Sequence, residues 1–168
     1  NSTHRDDNYL LVNDVWYPCY SSCYTCEALR NETSHYCINC SINYYKLEGT
    51  DDCYKQSDMI GKPYYLSREE SVWKRCFSSC MNCYDGNNET SHNCEICIEG
   101  YYFELRTKNC YNISHLDDGY YLFNNIYRKC YYKCKNCIAE GTASNMNCDK
   151  CINEYYFEDG TNNCYNKE

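Results

Sequence analysis

Three sets of six cysteines, each spaced C-x3-C-x2-C-x10-C-x2-C-x12-C without an insertion, constrain this chain more than any other feature of it. They are Cys19, Cys23, Cys26, Cys37, Cys40 and Cys53; then Cys76, Cys80, Cys83, Cys94, Cys97 and Cys110; then Cys130, Cys134, Cys137, Cys148, Cys151 and Cys164. A spacing kept this strictly means three copies of one module, and internal repetition decides architecture before any local propensity does. Other positions hold the same phase. Trp16, Trp73 and Tyr127 stand three residues before each first Cys, the pairs Tyr44-Tyr45, Tyr101-Tyr102 and Tyr155-Tyr156 follow each fifth Cys, and Tyr54, Tyr111 and Tyr165 follow each sixth. Length varies only in the connections, where Cys53 to Cys76 is three residues longer than Cys110 to Cys130. The repeats are therefore expected at 1–54, 55–111 and 112–165, with 166–168 opening another.

Sulfur rather than hydrocarbon is expected to hold the modules together. Leu, Ile, Val and Phe together number 24 of 168 residues, below the roughly 20% at which an ordinary core becomes unsupportable. Eighteen Cys exceed the fraction that marks a disulfide scaffold, and their number is even, as full pairing requires. Such a chain belongs in an oxidising compartment, secreted or at a cell surface. A formal charge of -8 and a mean hydropathy of -0.84 speak against nucleic acid and anionic membranes as partners. No apolar run approaches the roughly 18 residues of a bilayer span, and the N-terminus lacks a signal-peptide profile. Membrane attachment is expected only through an anchor outside this segment.

The ends repeat the interior. Asn1-Ser2-Thr3-His4 followed by Asp6-Asp7 matches Asn112-Ile113-Ser114-His115 followed by Asp117-Asp118, and Tyr165-Asn166 matches Tyr111-Asn112. The expectation is an array that continues past Glu168 into a Tyr-rich stretch and another set of cysteines. Within a module, the stretch after the fifth Cys predicts a hairpin. Tyr155-Tyr156-Phe157 runs into a turn at Asp159-Gly160-Thr161-Asn162 and returns through Cys164-Tyr165, with equivalent turns at Glu48-Gly49-Thr50-Asp51 and Leu105-Arg106-Thr107-Lys108. The polar loop between third and fourth Cys has no helical period. The predicted fold class is small and disulfide-rich, built from β-hairpins and loops and strung into an elongated rod of three six-cysteine units.

Six thiols allow 15 pairings, and spacing alone does not choose among them. The run C-x3-C-x2-C-x10-C-x2-C followed by Tyr-Tyr resembles the furin-like, growth-factor-receptor cysteine-rich repeats, and looks much like the CxxC-rich surface proteins of protists. The likeness covers all three modules and lies in Cys spacing and the Tyr pairs; the x10 and x12 gaps differ somewhat from those of receptor repeats. EGF-like modules fit less well, because they keep one residue between fourth and fifth Cys where this chain has two. The resemblance implies the bonds Cys19–Cys26, Cys23–Cys37 and Cys40–Cys53, repeated as Cys76–Cys83, Cys80–Cys94 and Cys97–Cys110, and as Cys130–Cys137, Cys134–Cys148 and Cys151–Cys164.

Other motifs compete with this scaffold. Cys23-x2-Cys26-x10-Cys37-x2-Cys40 has paired-knuckle spacing suited to tetrahedral zinc, but a four-thiolate site would strand Cys19 and Cys53, whereas disulfides use all six. Neither metal nor cofactor is expected. Acceptors for N-linked sugar stand at Asn1, Asn31, Asn39, Asn88 and Asn112. Asn31 and Asn88 share one loop position and Asn1 matches Asn112, so these four are the expected glycan sites; at Asn39 the following bridged Cys40 argues against occupancy. Asp51-Asp52 and Asp117-Asp118 lack the spaced oxygens of a calcium loop and predict solvated turns. His4, His35, His92 and His115 fall in polar loops and linkers, and no nucleophile motif accompanies them, so no enzyme is expected. The Tyr pairs are assigned to packing between modules rather than to a ligand stripe.

These readings converge on a structural glycoprotein, a stalk or filament of a cell coat whose partners are neighbouring repeats or copies of itself in a fibre. Two alternatives differ in class. One is a ligand-binding or adhesion ectodomain of a receptor, and the other an intracellular zinc-knuckle array.

Overall fold

The computed structural model describes residues 7–31 and 33–167. Asn1 and His4 lie outside the described residues. In chain order the strands are β1 (Tyr9–Val12), β2 (Val15–Pro18), β3 (Cys23–Cys26), β4 (Cys37–Cys40), β5 (Tyr45–Leu47), β6 (Cys53–Tyr54), β7 (Tyr64–Ser67), β8 (Val72–Arg75) and β9 (Cys80–Cys83). They continue as β10 (Cys94–Cys97), β11 (Tyr102–Glu104), β12 (Cys110–Tyr111), β13 (Tyr120–Phe123), β14 (Ile126–Lys129), β15 (Cys134–Cys137), β16 (Cys148–Cys151), β17 (Tyr155–Phe157) and β18 (Cys164–Asn166). Among the described residues helix is confined to the linkers, as α1 (Gln56–Met59) and a 3-10 turn over Ile113–Asp118. Each repeat thus carries the same three pairs of short strands.

The first hairpin precedes the first Cys. In β1–β2 the pairs run from Tyr9 with Pro18 to Val12 with Val15, leaving Asn13 and Asp14 to turn the chain at φ of 48° and 60°. In β13–β14 the pairs run from Tyr120 with Lys129 to Phe123 with Ile126, and Asn124-Asn125 turn at 50° and 61°. A two-residue hairpin needs positive φ at both central positions to match strand twist, and Asn and Asp tolerate it better than other side chains do. The second pair of strands is formed by the two Cys-x2-Cys segments. Cys23 faces Cys40 and Cys26 faces Cys37 in β3–β4, while Cys134 faces Cys151 and Cys137 faces Cys148 in β15–β16, each with a bulge between.

The third hairpin follows the fifth Cys. Its turn closes where the Thr50 amide donates to the Leu47 carbonyl at 3.0 Å, the Thr107 amide to Glu104 at 3.1 Å and the Thr161 amide to Glu158 at 3.1 Å. The turn therefore begins one residue earlier than the sequence suggests. Gly49, Arg106 and Gly160 sit third in it with φ of 76°, 66° and 72°, the left-handed conformation that a type II turn demands. The threonine hydroxyls reinforce it by donating to the same carbonyls at 3.0 to 3.1 Å.

Nine disulfides tie the hairpins together: Cys19–Cys26, Cys23–Cys37, Cys40–Cys53, then Cys76–Cys83, Cys80–Cys94, Cys97–Cys110, then Cys130–Cys137, Cys134–Cys148, Cys151–Cys164. The separations are 7, 14 and 13 residues in every repeat. Closing loops of that length restricts the unfolded chain by about 2.5–3 kcal/mol per bond. The sulfurs also are the core. Buried Cys19, Cys23, Cys26, Cys37 and Cys53 cluster with Leu10, Tyr20 and Tyr44 against them, and Cys130, Cys134, Cys148 and Cys164 cluster with Tyr121, Met146, Tyr131 and Tyr155.

The chain packs as two compact units, Asn1–Phe77 with Met81–Asn87, and Ser78–Cys80 with Asn88–Glu168. Each holds one four-stranded sheet, ordered β6-β5-β8-β7 in the first and β12-β11-β14-β13 in the second.

Candidate functional site: the seam between repeats

In both four-stranded sheets the third hairpin of one repeat joins the first hairpin of the next. The joint is parallel although everything around it is antiparallel. Lys46 pairs with Val72 and Leu47 with Trp73 across β5–β8; Phe103 pairs with Ile126 and Glu104 with Tyr127 across β11–β14. The same register recurs because the same spacing recurs: each pair links the positions six and seven residues past the fifth Cys to those four and three residues before the next first Cys. A backbone bond beyond the strand extends each seam, from the Glu48 amide to the Trp73 carbonyl at 2.9 Å and from the Leu105 amide to the Tyr127 carbonyl at 2.8 Å.

The ring three residues before the first Cys anchors the joint. Trp73 is 4% exposed and Tyr127 fully buried. Each ring carries one polar atom that needs a partner once buried, and each finds it in a backbone carbonyl one or two residues past the preceding sixth Cys. Trp73 Nε1 donates to the Tyr54 carbonyl at 2.9 Å, and Tyr127 Oη to the Asn112 carbonyl at 2.6 Å. The second Tyr of each pair meets the anchor edge to face, Tyr45 on Trp73 with centroids 6.4 Å apart and Tyr102 on Tyr127 at 6.2 Å. Burying a ring of this size against an adjacent module contributes on the order of 2–3 kcal/mol.

The 3-10 turn folds onto the second seam, and the helix of the first linker buries one side chain. Met59 of α1 is buried, and His115 of the 3-10 turn is 7% exposed. His115 stacks on Tyr111 and on Tyr120, both at 4.0 Å, with Tyr127 edge-on at 5.1 Å. Carboxylates stand on either side of it, Asp118 Oδ2 3.2 Å from Nδ1 and Glu104 Oε2 3.8 Å from Nε2. Tyr120 donates to Glu104 Oε1 at 3.1 Å. Burial, the Glu104 charge and that hydrogen bond push the Tyr120 phenol up to about 12.

Histidine does not behave as the sequence suggests. His35 and His92, expected in polar loops, are buried at 8% and 3% exposure because each acts as an internal acceptor. The amide of the sixth Cys donates to the ring, Cys53 N to His35 Nδ1 at 3.2 Å and Cys110 N to His92 Nδ1 at 3.1 Å. The hydroxyls of Ser22 and Ser79 lie 3.1 Å from the same nitrogens. In the third repeat Met146 takes the position, and Cys164 N donates to its Sδ at 3.2 Å. Burial lowers the His92 pKa, against weaker opposing contributions from its hydrogen bonds and from Glu104.

The residue before the sixth Cys completes this latch. Asp52, Asn109 and Asn163 are buried, and their Oδ1 atoms accept from the amides of His35, His92 and Met146 at 2.6, 2.8 and 2.7 Å. Asp52 is therefore no solvated turn, whereas Asp51 is exposed and pairs with Lys46 at 3.0 Å. Sequence reasoning missed the latch, although three short side chains in one phase, Asp, Asn and Asn, were visible in the alignment of the repeats.

Of the candidate glycan sites, two lie in exposed loops and Asn112 is half-buried. Asn31 and Asn88 are exposed, and both fold their side chains back as acceptors for the Thr and Ser that follow: Thr33 and Ser34 amides at 2.8 and 2.7 Å, Thr90 and Ser91 amides both at 2.9 Å. Asn112 caps the 3-10 turn, accepting from the Ser114 amide at 3.1 Å. Asn39 instead donates its amide to Thr25 Oγ1 at 2.9 Å. The four sulfurs of the zinc-knuckle pattern Cys23, Cys26, Cys37 and Cys40 are divided among three disulfides.

No protein-family model matches the chain, and no solved structure matches it with significance. The furin-like resemblance therefore stays a likeness of spacing. A curated relative does match: cysteine repeat modular protein 2 of Tetrahymena thermophila, 28% identical over 153 residues, covering 88% of this chain. The chain spans about 8% of that relative's length. Dense disulfide pairing in three repeated units, together with similarity to a cysteine-repeat protein, makes this a cysteine-rich tandem-repeat chain of the kind sustained in oxidising, extracellular surroundings.

Proposed function

We propose that this chain is a structural segment of an extracellular stalk or filament, in which repeats are joined in series through backbone pairing. The observation that carries the reading is the recurrence of one parallel seam, in one register, at both joints between repeats. A joint made of main-chain hydrogen bonds and a buried ring resists separation independently of surface composition, and covalent bridges keep each module from unravelling behind it. Nearest-neighbour coupling of this kind is what a repeat array needs. Asn31, Asn88 and Asn112 carry N-linked glycans on this reading, and Asn1 does likewise outside the described residues. Negative-stain imaging of the native assembly tests the proposal. Uniform filaments or stalks support it, whereas isolated particles bearing a distinct ligand-binding domain favour a receptor ectodomain.

A further inference from the structure

We propose that the first repeat binds a primary ammonium group, from a lysine side chain of another protein or from a free amine, in a cavity walled by Tyr20, Tyr44 and Tyr54. The cavity measures about 330 Å3 and is also lined by Ser22, His35, Lys55 and Asp58. The third repeat shows what these rings attract. Lys133 Nζ lies 4.8 Å from the Tyr165 ring centroid, 5.8 Å from Tyr155 and 5.9 Å from Tyr132, so one ammonium sits among three aromatic rings. Cysteine spacing places Tyr54 at the position of Tyr165, Tyr44 at that of Tyr155 and Ser22 at that of Lys133. The first repeat therefore keeps the two rings nearest the ammonium and exchanges the lysine for a short side chain, whose hydroxyl lies 3.1 Å from His35 Nδ1. Tyr20, stacked on His35 at 3.8 Å, gives the cavity its third ring. In the second repeat the matching ring, Tyr111, is covered by His115 at 4.0 Å.

Charge favours a cation here. Asp58 lines the cavity, and its bonds from the Lys55 amide and the Ser57 hydroxyl are both long, at 3.3 Å. An ionised carboxylate has lone pairs to spare beyond two such bonds. Buried Asp52 adds a second negative charge where the other repeats carry neutral Asn109 and Asn163. Burial first, then the charge of Asp52, with Asp58 among the smaller contributors, raises the Tyr54 phenol above its ordinary value, so both carboxylates act on that ring. Lys55, exposed at the rim, is the opposing charge. Cations of the chain already gather at these rings: Arg30 Cζ lies 5.9 Å from the Tyr20 centroid and Lys62 Nζ 5.6 Å from that of Tyr54, and neither residue lines the cavity. The two members of the tyrosine pair thus divide their work. Tyr45 meets Trp73 at the seam, and Tyr44 faces the cavity.

The test is titration of the whole disulfide-bonded chain at neutral pH, followed through the ring-proton resonances of Tyr44 and Tyr54. The probes are n-butylammonium, Nα-acetyl-lysine amide, 1-butanol and methyl glucoside. Saturable shifts are expected with the two amines, at dissociation constants on the order of 1 mM, and none with the two neutral probes. The amine that binds more tightly names the source, a free amine or a protein side chain. Asp58→Asn, which leaves the His35 latch intact, is expected to weaken binding about tenfold. Ser22→Lys together with His35→Met copies Lys133 and Met146 into the first repeat and is expected to abolish binding; if its disulfides do not all form, Asp58→Asn alone decides. Failure of both amines to saturate by about 100 mM, shifts of equal size with 1-butanol, preference for the glucoside, or unchanged affinity in Asp58→Asn overturns the site. Imaging of native material decides the filament reading separately, whatever the titration shows.

Discussion

Replacing Trp73 by Ala should open the first seam while leaving the disulfide modules closed. The ring is 4% exposed, touches Tyr45 edge-on and ties its indole to the Tyr54 carbonyl at 2.9 Å. Truncating a buried ring of this size costs about 3–5 kcal/mol. Three bridges lie on each side of the joint and are untouched by the change, so the loss should appear locally rather than as global unfolding. The reporter is the Glu48 amide, which donates across the seam to the Trp73 carbonyl. At about 1.4 kcal/mol per tenfold, even the lower cost makes its hydrogen exchange faster by about a hundredfold. Amides of the β3–β4 pair, held by Cys19–Cys26 and Cys23–Cys37, should keep their protection. The same substitution at half-buried Trp16 is the internal control and should leave Glu48 unaffected. Unchanged exchange at Glu48 in the Trp73 variant, or equal acceleration by both substitutions, would refute the assignment of the seam to this ring.

Other expectations follow from the latch and the loops. Asn109→Ala strands the His92 amide and the Thr90 carbonyl, which now bond Asn109 at 2.8 and 3.1 Å, and should lower stability by about 1–3 kcal/mol in urea melts; Asn109→Asp, copying Asp52, should cost less. His92 has its pKa lowered by burial, so its contribution is present above the ordinary value of 6.5 and is lost as pH falls through the lower folded value. His92→Met, copying Met146, should therefore flatten the decline of the urea midpoint on acidification. Expression through a eukaryotic secretory pathway should add sugar mass that Asn31→Gln and Asn88→Gln each reduce by one glycan, whereas Asn39→Gln, whose amide already bonds Thr25, should change nothing by intact mass.

Much of the fold was legible because repetition multiplies weak signals. One copy of Tyr155-Tyr156-Phe157 and Cys164 suggests a hairpin; three in the same phase make the reading firm, and β5–β6, β11–β12 and β17–β18 pair accordingly. The first hairpin carries an equally plain local signal. Leu10-Leu11-Val12 and Val15-Trp16-Tyr17 flank Asn13-Asp14, a two-residue turn signal between apolar runs. What the sequence could not reveal was the parallel joint, since pairing between strands some 25 residues apart leaves no local pattern. The aromatic phase of Trp73 and Tyr127 marked the place without naming the neighbour. Histidine misled for a different reason. His35 and His92 stand among polar residues along the chain, yet a neutral ring can accept from a buried amide, and only the fold brings Cys53 and Cys110 within reach.

The account rests on sulfur cross-links made within each repeat, and mapping them in unreduced native protein by peptide mass spectrometry tests that most directly. Nine bridged peptides joining first to third, second to fourth and fifth to sixth Cys in each set, with no thiol open to alkylation, are the expected result. Free thiols released by a metal chelator, or bridges that run from one set of six to another, would contradict it.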